Sequence, residues 1–193
     1  MAPRPLPRVF AASEIEAEIA AVIAKVHGLQ NDLVATVTPS TASFANVFTP
    51  WIEVLNEVEA TTSMVLLLSH AVQDPETRSA ATKANNAYVS AFAAWMARAD
   101  VFHLFKTAAG RDEDLDPESR LWVEEELRDF AAHGHESLQG TELDTFISQR
   151  SKIEELKIAY GRNLREEGGG VAMTREELAG VSEEIFAEVE ARE

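Results

Sequence analysis

The chain has no cysteine, which excludes disulfides, thiolate catalysis and cysteine-ligated zinc. It also has no run approaching the roughly 18 apolar residues that a membrane-spanning helix requires. Positive charge is scarce, with Lys plus Arg totalling 17 against 33 Asp plus Glu and a formal net charge of −16. Most of such a surface repels a phosphate backbone or an anionic bilayer, so neither nucleic acid nor membrane is an expected partner. The opening MAPRPLPRVF has prolines and arginines but no continuous apolar segment, which argues against a secretory signal. There is no convincing strand pattern and no internal repeat. The expectation is a soluble, cytoplasmic protein.

The 193 residues, 46% of them hydrophobic, suffice for one domain with a substantial core. Residues 1–12, with Pro3, Pro5 and Pro7, read as an extended arm. The spacing then predicts a helix from Ser13 to about Ala35, capped by a Ser13/Glu16 box, with Ile15, Ile19, Val22, Val26, Leu29 and Leu33 buried. A second helix starts at Thr41 or Ser43 and runs to Val72, with Pro50 forcing a kink or a restart. Asp74-Pro75 opens a third, closed by Gly110, and Asp116-Pro117 opens a fourth, with Val123, Leu127 and Phe130 facing inward to about Ala132. A fifth spans about Glu142 to Glu166, burying Leu143, Phe146, Ile153, Leu156, Tyr160 and Leu164. Glycines 168–170 break it, and residues 182–191 form a last short helix. The fold class is all-α: an N-terminal arm over 1–12 and a single helical domain over 13–193, with five long helices and a short terminal one.

The third helix is unusual. Residues 84–105 are apolar on most of their circumference, so the helix is covered on several sides or lines something. An antiparallel hairpin about Asp74 brings Trp51 and Leu55 beside Phe92, Trp95 and Met96, with Tyr88 and His103 as polar neighbours. Such a cluster is either core or a binding site.

Other motifs read blandly. His133-Gly134-His135-Glu136 offers zinc-ligand types, but the position of the second zincin histidine is Gln139 and glycines bracket the segment, so a polar loop explains it. Asp112, Asp114 and Asp116 lack the glycine and the final glutamate of a calcium loop and read as a solvated link. The glycine triplet has no preceding strand and no following Lys-Ser or Lys-Thr, and acts as a helix terminator. His70 and His103 read as structural histidines or as proton donors or acceptors.

Several segments, in order, resemble one family. Asn46-Val47-Phe48-Thr49-Pro50, Arg98-Ala99-Asp100-Val101-Phe102, Leu115-Asp116-Pro117-Glu118-Ser119-Arg120, residues 160–167 and residues 173–181 together are similar to the N-terminal helical region of the thimet oligopeptidase and saccharolysin family of zinc metallopeptidases. The resemblance implies an all-α region that forms one wall of a deep channel. It implies no catalytic residue, because the 193 residues contain no H-E-x-x-H. Relatives carry several charged residues around positions 88–96, where this chain reads YVSAFAAWM, and that departure points to another use of the helix.

Two functions follow as expectations. The first is a hydrophobic small molecule held between helices by Trp51, Leu55, Phe92, Trp95 and Met96, with His103 and Tyr88 as catalytic polar groups of a cofactor-free cyclase or isomerase, such as a Diels–Alder-type ring closure in specialised metabolism. No metal and no cofactor enters that reading. The second is a non-catalytic module that binds peptides or docks onto a peptidase.

Overall fold

Aspartate and proline decide where three of the helices begin. The structure, a computed structural model, describes residues 8–166, 173–183 and 185–186. Among these it contains helices α1 (Ala12–Thr36), α2 (Thr49–Ala71), α3 (Pro75–Met96), α4 (Ala99–Ala109), α5 (Pro117–Ala132) and α6 (Gly140–Glu166), with a π-helical turn over Phe44–Phe48 and no strand. The all-α expectation is met. The chain divides into two compact units, Met1–Ile158 and Ala159–Glu193.

Asp74 accepts a hydrogen bond from Thr77 N–H at 2.8 Å, and Asp116 accepts from Glu118 and Ser119 N–H at 3.0 Å each. Each satisfies donors that the first turn leaves orphaned, and the following proline has no donor to lose. Pro50 acts as expected, through a restart. It gives the Asn46 carbonyl no N–H to accept, and the turn before it widens until Thr49 N–H donates to the Phe44 carbonyl. Glu113 accepts from the Phe44 N–H at 2.9 Å and so covers one donor of this start.

Four expectations are corrected. First, α1 begins at Ala12, with Ala11 as its cap; Glu14, rather than Glu16, closes the box by accepting from Ala11 N–H at 3.0 Å. Phe10, assigned to the arm, is buried against Ile15 and Ile19. Second, the long third helix is two helices: α3 ends at Met96 and α4 starts at Ala99. Third, α1 buries Gln30 completely while Leu29 stays half-buried. Fourth, α6 leaves Ile153, Leu156, Tyr160 and Leu164 50%, 57%, 66% and 57% exposed. Its anchorage lies in its first turns. Gly134 takes a positive φ of 94°, and a Cβ there would stand 3.0 Å from Phe146 and 3.2 Å from Leu138 and Leu143.

In the first unit α1, α2 and α3 pack along one another. Val65, Leu68, Ala81 and Ala84 join Ile15 and Ile19 near the α2–α3 turn. At the other end Phe48, Trp51, Trp95, Met96, Phe102, Phe105, Val123 and Phe130 form the larger core. Phe48, Phe105 and Phe130 are fully buried, each contributing about 1.5–3 kcal/mol by removal from water. Phe105 is their hub, edge-on to Phe48 at 5.0 Å, Trp51 at 5.7 Å and Phe130 at 5.5 Å.

In the second unit, Thr174 N–H donates to Glu177 at 2.8 Å, and Arg175 pairs with Glu183 at 3.1 Å. A helical turn starts at Ser182, whose carbonyl accepts from Ile185 and Phe186 N–H. The rest of the helix expected over 182–191, and glycines 168–170, lie outside the described residues.

Candidate functional site

The break between α3 and α4 organises the end of the first unit. Arg98 turns the backbone out of the helix at ψ 101°. Its guanidinium forks onto Asp100 (Nε–Oδ1 3.0 Å, Nη2–Oδ2 2.6 Å), while Nη1 donates to Asn31 Oδ1 of α1 at 2.5 Å. The arginine hydrogen bond, followed by the backbone N–H of Val101, holds the Asp100 carboxyl below the usual range against the opposing effect of burial. The break deprives Met96 O of its α-helical donor. Buried His135 supplies one: Nε2 lies 2.7 Å from that carbonyl, and the ring stacks on Phe102 at 5.2 Å. The other loop histidine, His133, directs Nδ1 to Asp129 O at 2.7 Å. Each imidazole thus donates to a helix-end carbonyl.

An open cleft of about 230 Å³ lies beside this break. Phe92, Ala93 and Ala97 come from the last turns of α3, His133 from the end of α5, and Ile147, Arg150, Ser151 and Glu154 from α6. Every wall belongs to the first unit. Phe92 is 42% exposed and its ring lies near-perpendicular to that of Trp95, centroids 6.4 Å apart. Arg150 is anchored: Nη1 donates to Ala132 O at 2.8 Å and the guanidinium lies 6.0 Å from the Phe146 ring. Glu154 is paired with Lys157 at 2.7 Å. The cleft therefore has an apolar floor, one fixed cation and one exchangeable acid.

The residues singled out from the sequence divide between several places. Trp51, Trp95 and Met96 are 3%, 4% and 2% exposed and sit in the core, where Leu55 packs half-buried against it. Of that group, Phe92 lines the cleft. Tyr88 is half-buried and edge-on to Trp95 at 5.8 Å; burial, aided by the charge of Glu59, raises its pKa above the ordinary tyrosine value. His103 is exposed on α4 and lines a different cleft of about 190 Å³ with Val34, Val37, Pro39 and Leu104, in which Tyr88 takes no part.

Sequence reasoning missed Arg150, and it missed Glu126. The Glu126 carboxylate accepts from Trp51 Nε1–H at 3.0 Å. Burial pushes its pKa up to about 7, the Trp51 hydrogen bond opposes this, and the charge of Asp129 adds to it. Its position one turn from Val123 and Phe130, on the inward side of α5, was a readable signal.

No protein-family profile matches the chain. Over 164 residues it is 26% identical to a probable thimet oligopeptidase of Arabidopsis thaliana, a match covering 83% of this chain and 22% of that protein. Over 185 residues it is 22% identical to saccharolysin of Saccharomyces cerevisiae, covering 94% of this chain and 25% of that protein. The chain is weakly homologous to both. It spans about a quarter of the length of these two proteins. The match agrees with a helical region of those proteins. Among the described residues no three His, Cys, Asp or Glu side chains converge as metal ligands. Nor is any helix among them long and apolar enough to cross a membrane.

Proposed function

We propose that this chain is an oligopeptide-binding helical module whose site is the cleft between α3 and α6. The observation that carries the reading is the cleft's make-up. An apolar floor of Phe92, Ala93 and Ile147 is bordered by Arg150, Ser151 and Glu154, and its volume of about 230 Å³ matches one side chain rather than a whole cofactor. Peptides present that combination, an apolar side chain flanked by backbone and terminal polar groups. The name of the Arabidopsis relative, a probable thimet oligopeptidase, agrees with a peptide ligand. The net charge of −16 favours basic peptides and makes association faster at low salt.

A cyclase has less support. Its substrate would need space among Trp51, Leu55, Phe92, Trp95 and Met96, where three of the five side chains are closed core. Its proposed polar pair, Tyr88 and His103, occupies separate surroundings.

The test is fluorescence anisotropy of a labelled basic oligopeptide with the wild-type protein and with Ser151→Trp, which fills the cleft from an exposed helix position. Saturable binding that weakens at least about tenfold in the variant supports the reading. Equal binding by both proteins removes the cleft from it, and absence of wild-type binding removes the peptide.

A further inference from the structure

We infer that the cleft recognises the free C-terminal residue of its peptide, with Arg150 as the carboxylate receptor and an apolar last side chain lying on Phe92 and Ile147. This rests on the peptide-binding reading above and adds the chemistry by which the peptide is oriented.

The cation in the cleft is held in place before any ligand arrives. One of the five donors of Arg150 is spent on Ala132 O at 2.8 Å, and the Phe146 ring supports the guanidinium at 6.0 Å. Among the described residues no carboxylate pairs with it; Glu154, one turn further along α6, is engaged by Lys157 at 2.7 Å. A fixed guanidinium with donors remaining is suited to two-point pairing with a carboxylate, and fixing it beforehand lowers the entropic cost of the pairing.

The ends of α3 and α5 meet near this place, and a bare helix C-terminus repels an anion. Both ends are already covered: Met96 O accepts from His135 at 2.7 Å and Ala132 O accepts from Arg150. The overall charge of −16 acts against an anion only weakly at close range, since salt screens charges beyond about 8 Å. At low salt the overall charge attracts a basic peptide from a distance, and at any salt Arg150 meets its terminal carboxylate at close range.

The side-chain preference follows from the floor. Phe92 brings apolar surface that is 42% exposed to the cleft, and Ala93 and Ala97 keep the α3 wall low beside it. An apolar last residue removes that surface from water, whereas an acidic one meets Glu154.

The experiment uses two N-terminally labelled basic peptides of one sequence ending in leucine, one with a free C-terminal carboxylate and one with a C-terminal amide. Dissociation constants are measured with the wild-type protein, Arg150→Gln and Arg150→Lys. The expected result is an acid form binding about tenfold or more tighter than the amide in the wild type. In Arg150→Gln the ratio falls to about one, and in Arg150→Lys it is intermediate. Because the ratio is taken within each protein, partial unfolding of a variant does not produce it. Equal wild-type binding of acid and amide overturns the inference and leaves the peptide reading standing. A ratio that survives Arg150→Gln overturns the role of Arg150. Binding of neither peptide overturns the inference together with the reading on which it rests.

Discussion

Replacing Glu126 by glutamine should make the protein more stable, by an amount that grows as the pH rises from about 4.5 to about 7. The Glu126 carboxyl is mostly buried beside Trp51 and titrates near 7, against 4.5 for an unperturbed glutamate. A raised acid pKa means that the native state binds the proton more tightly than the unfolded state. Below 4.5 both states are protonated and the site costs nothing. Between 4.5 and about 7 the unfolded chain ionises first, so stability falls as pH rises. Above about 7 the folded carboxylate carries the full penalty of its burial. At about 1.4 kcal/mol per pH unit, the interval from 4.5 to about 7 sets an upper bound of ~3 kcal/mol. Glutamine keeps an oxygen that accepts from Trp51 Nε1–H and removes the titration. Urea denaturation of both proteins, followed by helical circular dichroism from about pH 5 to pH 8, reads the difference. Other titrating groups are common to both and cancel. The variant should exceed the wild type by under about 1 kcal/mol near pH 5 and by about 2–3 kcal/mol near pH 8. Parallel curves across that range would refute the assignment.

Other substitutions test the packing. Gln30 is fully buried and neither its amide oxygen nor its nitrogen has a hydrogen-bond partner among the described residues, so Gln30→Met should raise the unfolding free energy from urea denaturation by about 1–2 kcal/mol; a fall would mean that the amide is satisfied. Gly134→Ala combines a positive φ with a Cβ 3.0 Å from Phe146 and should cost about 1–3 kcal/mol in the same assay, whereas a neutral result would contradict the loop geometry. Trp95→Ala, in the core, should cost about 3–5 kcal/mol, while Phe92→Ala, 42% exposed, should cost under about 1.5 kcal/mol; similar losses at both would contradict the placement of Phe92 at the surface.

Helix starts were legible because their chemistry is local. Asp74-Pro75, Asp116-Pro117 and Pro50 act within one turn, and the structure shows each doing so. The break at Arg98 was not, since it is held in part by Asn31, 67 residues away, and no glycine or proline marks it. Gln30 and Glu126 were overlooked because periodicity was traced through apolar residues, and both are polar residues at buried phases of their helices. The α6 stripe failed for the opposite reason. Spacing of Ile153, Leu156, Tyr160 and Leu164 defines an apolar face, but whether another element covers it is decided elsewhere in the fold. Of the candidate site, Phe92 was foreshadowed by the apolar excess of residues 84–105. Arg150 and His133 carried no such signal, because it is the α5–α6 loop that brings them to the end of α3.

The central claim is that an oligopeptide occupies the α3–α6 cleft. Amide chemical-shift mapping of the isotope-labelled chain, titrated with a basic oligopeptide bearing a free C-terminus, tests it most directly. The account predicts saturable shifts clustered at residues 92–97, 132–134 and 147–154. An unchanged spectrum, or shifts confined to the cleft around Val34 and His103, would contradict it.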